Sequence, residues 1–119
     1  MTLNDYQIKA MVTNAPSSDN DTYSLFGLIA EVGELADKVA KAVRKGEIEL
    51  QDNDICPLSC DKGAELTEGM KKELGDVLWF VAHFAQRYGW SLEEVAQLNL
   101  DKLADRAKRN VIIGEGDNR

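Results

Sequence analysis

Between Thr22 and Lys45 the apolar residues fall at Leu25, Leu28, Ile29, Val32, Leu35, Ala36, Val39 and Val43, the i, i+3, i+4, i+7 spacing of one helical face. Lys41, Arg44 and Lys45 crowd the end of this run and Gly46 follows. Basic side chains there offset the helix dipole, and glycine readily takes the left-handed turn that ends a helix. A second long run extends from about Glu65 or Thr67 to Tyr88 and stops at Gly89. Its middle, LGDVLWFVAHFA, is apolar around most of its circumference, as expected of the central, most buried helix. Thr2, followed by Asp5, reads as an N-cap with an acid in the first turn and predicts a short helix over about Leu3 to Val12. Ser91 and Glu94 form an S-L-E-E capping box. It opens a fourth helix, which Leu92, Val95, Leu98, Leu100 and Leu103 carry to about Lys108.

The connections are polar. Asn14 to Asp21 is rich in turn formers. Glu47 to Gly69 mixes Asp52, Asn53, Asp54, Pro57, Ser59 and Gly63 without a sustained period, and is expected to be a long loop or partly ordered insertion. Asn110 to Arg119 is expected to be an irregular tail. With no strand pattern, the chain reads as one all-α, four-helix-bundle-like domain over residues 1–119. At this size such a core is often completed by a second copy, so a homodimer or homotetramer is expected.

Composition narrows the function. The 119 residues suit one ordinary domain, and 44% of them are hydrophobic. A net charge of −7 argues against general nucleic-acid binding, which needs clustered Lys and Arg. It leaves a nucleotide substrate open, because a divalent metal supplies local positive charge. The start MTLNDYQIKA lacks the basic and apolar regions of a signal peptide, and no stretch approaches the roughly 18 apolar residues of a membrane span. A soluble cytoplasmic protein without a membrane partner is expected. Cys56 and Cys60 read as reduced loop thiols, and with His83 the sole histidine a closed zinc site is out of reach. Core packing is the favoured role of His83, Trp79 and Phe26, over a place beside a metal or a base.

The acids carry the chemistry. Glu31 and Glu34 are three apart, adjacent on one surface beside the Leu28/Leu35 edge of the apolar face. Glu73 and Asp76 repeat the spacing on a face shared with Val77, Phe80 and Phe84. Such carboxylates cost several kcal/mol to desolvate, and bringing two like-charged pairs together costs more. Mg²⁺, or Mn²⁺ in its place, prefers oxygen ligands and removes both penalties. Either pair alone is more often a solvated face; two pairs beside apolar residues on adjacent long helices favour the metal. Gly33 and Gly75 each lie inside a pair, where a close approach of backbone or ligand is a reason to keep a helix-weakening residue. Asn99, Lys102 and Arg106 share a face of the fourth helix, with a solvated stripe paired to Asp101 and Asp105 as the alternative. A di-iron bundle is excluded, since it needs Glu-x-x-His and Phe80 stands three before His83.

The segments Glu31-Val-Gly-Glu34 and Glu73-Leu-Gly-Asp76-Val77, with the Lys102/Arg106 region, resemble the MazG family of nucleotide pyrophosphohydrolases. That family belongs to the all-alpha NTP pyrophosphatases, together with the dimeric dUTPases and the phosphoribosyl-ATP pyrophosphohydrolases. The likeness runs from Tyr6-Gln7 to the closing Gly-Glu-Gly-Asp-Asn-Arg, although the 47–69 connection is longer than the family leads one to expect. The resemblance implies magnesium-dependent hydrolysis of a nucleoside or deoxynucleoside triphosphate to monophosphate and pyrophosphate. It implies Glu31, Glu34, Glu73 and Asp76 as metal ligands, with Glu34, or else Glu31, orienting or deprotonating the water. Asn99, Lys102 and Arg106 would contact the triphosphate, with Lys38 a further candidate. The rival reading is a non-catalytic dimerisation or regulatory module that retains the fold.

Overall fold

Each long helix begins where the sequence places a side-chain oxygen over its first free amides. The computed structural model describes residues 1–117, and in it Thr2 and Asp5 cap each other reciprocally ahead of α1 (Leu3–Met11). Asn20 Oδ1 accepts from the Tyr23 amide at 2.8 Å to start α2 (Asp21–Arg44). Ser59 does the same for α3 (Cys60–Arg87) and Ser91 for α4 (Leu92–Lys108). Left-handed residues follow the last three, at Gly46, Gly89 and Asn110, which is how the chain turns out of a helix without leaving its last carbonyls unpaired. No described helix is long and apolar enough to cross a membrane.

The 47–69 stretch is not the loop that its composition suggests. Its first part is a β-hairpin, β1 (Ile48–Gln51) paired antiparallel with β2 (Asp54–Pro57). Asp52 and Asn53 form the two-residue turn, both with positive φ, as the tight hairpin turns require. The strands escape a sequence reading because one residue anchors them: Ile48 is buried with Ala42 and Leu66. The rest of the stretch, from Cys60, is the first three turns of α3. Cys56 lies on β2 and Cys60 in the first turn of α3, both as free thiols.

Helices α2 and α3 run antiparallel along one seam. Ser24 meets His83, Gly27 meets Phe80, Lys38 meets Glu73 and Ala42 meets Leu66. A Cβ at Gly27 would lie 2.0 Å from the Phe80 ring, so only glycine permits this approach. Helix α1 lies against α3 with Trp79 Nε1 donating to Thr13 Oγ1 at 2.9 Å and to the Ala10 carbonyl at 3.2 Å. The buried Gln7 fastens α1 to the α3–α4 turn, donating to the Trp90 carbonyl and accepting from the Leu92 amide.

The seam takes only part of the face that apolar spacing marks on α2: Leu28, Leu35 and Val39 are half-buried, Val39 against Ala42 and Leu66. Leu25, Ile29, Val32 and Val43 are exposed, Ile29 at 66%. Small and charged residues on the neighbouring flank, Ser24, Gly27 and Lys38, complete the contact. The shape is correspondingly open: the radius of gyration is 17.7 Å, against about 13–14 Å for a compact chain of this length.

Candidate active site

Because Gly27 lets the helices close at Phe80, the next turn of α2 lies directly against the preceding turns of α3. Glu31 is one turn after Gly27, and Asp76 and Glu73 are one and two turns before Phe80. Glu31, Glu73 and Asp76 each offer a carboxylate oxygen, all within 4.8 Å of one another. Glu73 is buried, 9% exposed; Glu31 is half-buried and Asp76 exposed. Burial holds the Glu31 carboxyl above its ordinary range, and the charges of Glu34, Asp76 and Glu73 push it the same way. Glu34 stands outside the three-carboxylate group, on the exposed side of α2.

One cation answers this charge. Lys38 Nζ lies 2.9 Å from Glu73 Oε1, and the hydrogen bond to Glu73, reinforced by that carboxylate's charge, raises the lysine above its ordinary range. On α1, burial and then the charge of Asp76 raise the Tyr6 phenol. Three hard oxygen donors converge at a point where a lysine already stands in as the cation, and that donor set fits Mg²⁺ or Mn²⁺.

The model of the MazG nucleotide pyrophosphohydrolase domain matches residues 21–111. The chain belongs to the MazG nucleotide pyrophosphohydrolase family. It is similar to the Gene 37 protein of Mycobacterium phage L5, with 37% identity over 122 residues covering 96% of each chain. No solved structure matches the chain significantly.

The MazG match contains both acid pairs and the three α4 residues, but among the described residues no hydrogen bond or ion pair joins the two groups. Arg106, 5% exposed, donates through Nη2 to the Gly116 carbonyl and to the carbonyl and Oδ1 of Asp117, at 3.1–3.3 Å. Its buried Nε has no partner among the described residues. Lys102 Nζ reaches the same Asp117 Oδ1 at 3.5 Å. Asn99 is exposed beside Lys102. Asp105 pairs with Arg109 and Asp101 accepts from Gln97, so these acids do not neutralise the basic pair. The tail does. Asn118 and Arg119 lie outside the described residues.

His83 is a satisfied core residue. Fully buried, it accepts at Nδ1 from Ser24 Oγ at 2.6 Å and donates from Nε2 to Asn14 Oδ1 at 3.0 Å, a tautomer assigned from the network. Trp79 stacks on it at 5.1 Å, which fixes Trp79 in the packing, whereas Phe26 is exposed. Gly33 and Gly75 are not close-approach sites within the chain, since a Cβ on either meets nothing within 4 Å. The glycine that matters is Gly27, and its clue was the aromatic cluster on the facing helix.

Proposed function

We propose that this MazG-family protein hydrolyses nucleoside or deoxynucleoside triphosphates between the α and β phosphates, releasing monophosphate and pyrophosphate, with Mg²⁺ as its cofactor and Mn²⁺ a substitute. The observation that carries the reading is the convergence of Glu31, Glu73 and Asp76 on one side of a helix seam. There a partly desolvated negative cluster is maintained at a cost that folding alone does not require. These three carboxylates would hold the metal. Bound there, it would supply charge neutralisation for the phosphate oxygens and a lowered pKa for the attacking water.

The chain's own groups do the rest. Glu34, exposed one turn after Glu31, is the carboxylate free to orient the water and take its proton. Lys38, bonded to Glu73 in the metal-free chain, would be free to turn its ammonium to phosphate once that carboxylate held a metal. Asn99, Lys102 and Arg106 bind the triphosphate in exchange for Asp117, one carboxylate giving way to a more highly charged anion. The exposed strip of Leu25, Ile29 and Val32 on α2 supports a homodimer or homotetramer in which a second copy covers it.

The Lys38–Glu73 ion pair is also what a non-catalytic module would use to settle its acids, so the test must separate the two readings. The experiment is product analysis over a panel of NTPs and dNTPs with and without Mg²⁺, for the native chain and for Glu34→Gln and Asp76→Asn. Metal-dependent release of monophosphate and pyrophosphate, lost in both variants, is the expected result. A native protein that cleaves nothing on the panel and binds no Mg²⁺ is the regulatory module instead.

A further inference from the structure

Beyond the carboxylates, towards the hairpin, the α2/α3 seam opens into a cavity of about 110 Å³. Lys38, Lys41 and Lys45 of α2 and Lys62 of α3 line it, with Glu47 and Glu65 as its acids. Asp37 and Glu73, just outside the lining, hold Lys41 and Lys38, so the ammonium groups least committed to an acid are those of Lys45 and of Lys62. The pairing is incomplete. Lys62 is shared between Glu65 at 3.1 Å and Glu47 at 3.4 Å, and Lys41 pairs with Asp37. Lys45 has no ion-pair partner among the described residues. Lys38 belongs to both sites, lining this cavity while its Nζ bonds Glu73.

We propose that this pocket receives inorganic pyrophosphate as it leaves the carboxylate site. The inference rests on the reaction proposed above and assigns a role to the segment that lengthens the connection between the two acid motifs, since Glu47, Lys62 and Glu65 all come from it. At about 1.5 Å of rise per residue, Lys38 lies about 10 Å along α2 from Glu31, and Lys45 about 10 Å further. The lysines therefore begin near the distal phosphates of a triphosphate whose reacting phosphorus is at the carboxylates, and they lead away from it. A cavity of about 110 Å³ has room for a condensed phosphate. Flexible point charges suit an ion that must be released again better than the fixed fork of arginine does. Lys38 connects the two sites, since it bonds Glu73 and lines the cavity, and a metal on Glu73 would leave its ammonium for the departing anion.

The test uses the full chain and inorganic pyrophosphate, with orthophosphate and sulfate as controls. Calorimetry without metal compares the native protein with Lys45→Gln, Lys62→Gln and the double variant. Because these are exposed charges, folding is expected to be unaffected, which melting curves verify. Pyrophosphate should bind at least about tenfold more tightly than orthophosphate, with roughly tenfold lost in the double variant, while Asp76→Asn binds it as the native chain does. In turnover with Mg²⁺, the double variant should resist product inhibition by pyrophosphate with kcat/KM unchanged. Cleavage of nucleotides with pyrophosphate inhibition indifferent to both lysines overturns the pocket alone. Lysine-dependent pyrophosphate binding in a protein that cleaves no nucleotide overturns the reaction instead and leaves a condensed-phosphate site.

Discussion

Lys38 Nζ lies 2.9 Å from Glu73 Oε1, so the most buried acid of the cluster already has a cation and any metal must compete for it. Lys38→Met removes that competitor and adds one net negative charge to the site. Mg²⁺ affinity in the nucleotide-free protein should rise by on the order of tenfold, while KM for the triphosphate rises because a phosphate contact is gone. Calorimetric metal titration and steady-state kinetics read the two separately. Weaker metal binding in the variant would mean that the lysine positions Glu73 rather than blocking it.

Gly27 controls the approach of the two metal-bearing helices. Gly27→Ala places a methyl group 2.0 Å from the Phe80 ring, an overpacking that costs about 1–3 kcal/mol. The seam then opens one turn from Glu31. Stability in urea and Mg²⁺ affinity should fall together. Gly33→Ala and Gly75→Ala meet nothing within 4 Å and should instead stabilise the chain, by up to about 1 kcal/mol each, through helix propensity. If either lowers activity while raising stability, a ligand or a second chain approaches the backbone there.

His83 carries a pH dependence of known sign. Burial lowers its pKa from the ordinary 6.5, with Arg87 acting the same way and Asp19 opposing. Below about pH 6.5 the unfolded chain therefore binds the proton more readily than the folded one, so stability is lost as pH falls from 6.5 through the depressed folded value. Urea unfolding at pH 7.5 and pH 5.5 should show the native chain weaker at the lower pH. His83→Gln should be less stable at pH 7.5 by about 1–3 kcal/mol, since Ser24 and Asn14 lose their partner, yet vary less between the two. An equal loss in both proteins would place the titrating group elsewhere.

The starts of α1 and α4 were legible because capping is local chemistry: Thr2 with Asp5 and Ser91 with Glu94 need only four residues to be recognised, whereas α3, expected from Glu65 or Thr67, starts at Cys60 behind Ser59. Of the four acids marked by three-residue spacing, Glu31, Glu73 and Asp76 converge and Glu34 stands outside the group, since spacing on one helix does not say which side faces the other. The hairpin was not legible, because four-residue strands resting on Ile48 alone leave no period to find. Nor was the seam of α2. Apolar spacing pointed to the exposed Leu25, Ile29 and Val32 together with the half-buried Leu28, Leu35 and Val39, and could not show the hydrogen bond at Ser24, the close approach at Gly27 or the ion pair at Lys38 that complete the contact with α3. These are pairwise fits with residues about 35 to 60 positions away, and nothing in one helix announces them. Periodicity tells which face leaves water, not what covers it.

That uncovered face makes the last prediction. Ile29, 66% exposed between Leu25 and Val32, is at the middle of the α2 strip, where Ile29→Glu puts a charge into any apolar contact at a cost of several kcal/mol. The native chain should sediment as a dimer or tetramer with a melting temperature that rises with protein concentration. The variant should sediment as a monomer whose melting temperature is lower and independent of concentration. Its Mg²⁺ affinity should persist, because Glu31, Glu73 and Asp76 come from one chain. Activity then locates the basic residues. Among the described residues Lys102 and Arg106 pair with Asp117 of the tail and not with Glu31, Glu34, Glu73 or Asp76. If they serve a neighbouring copy, the monomer binds metal and cleaves nothing. If they reach their own carboxylates by releasing Asp117, the monomer retains its kcat. A native chain that is monomeric at all concentrations removes the assembly and leaves only the second arrangement.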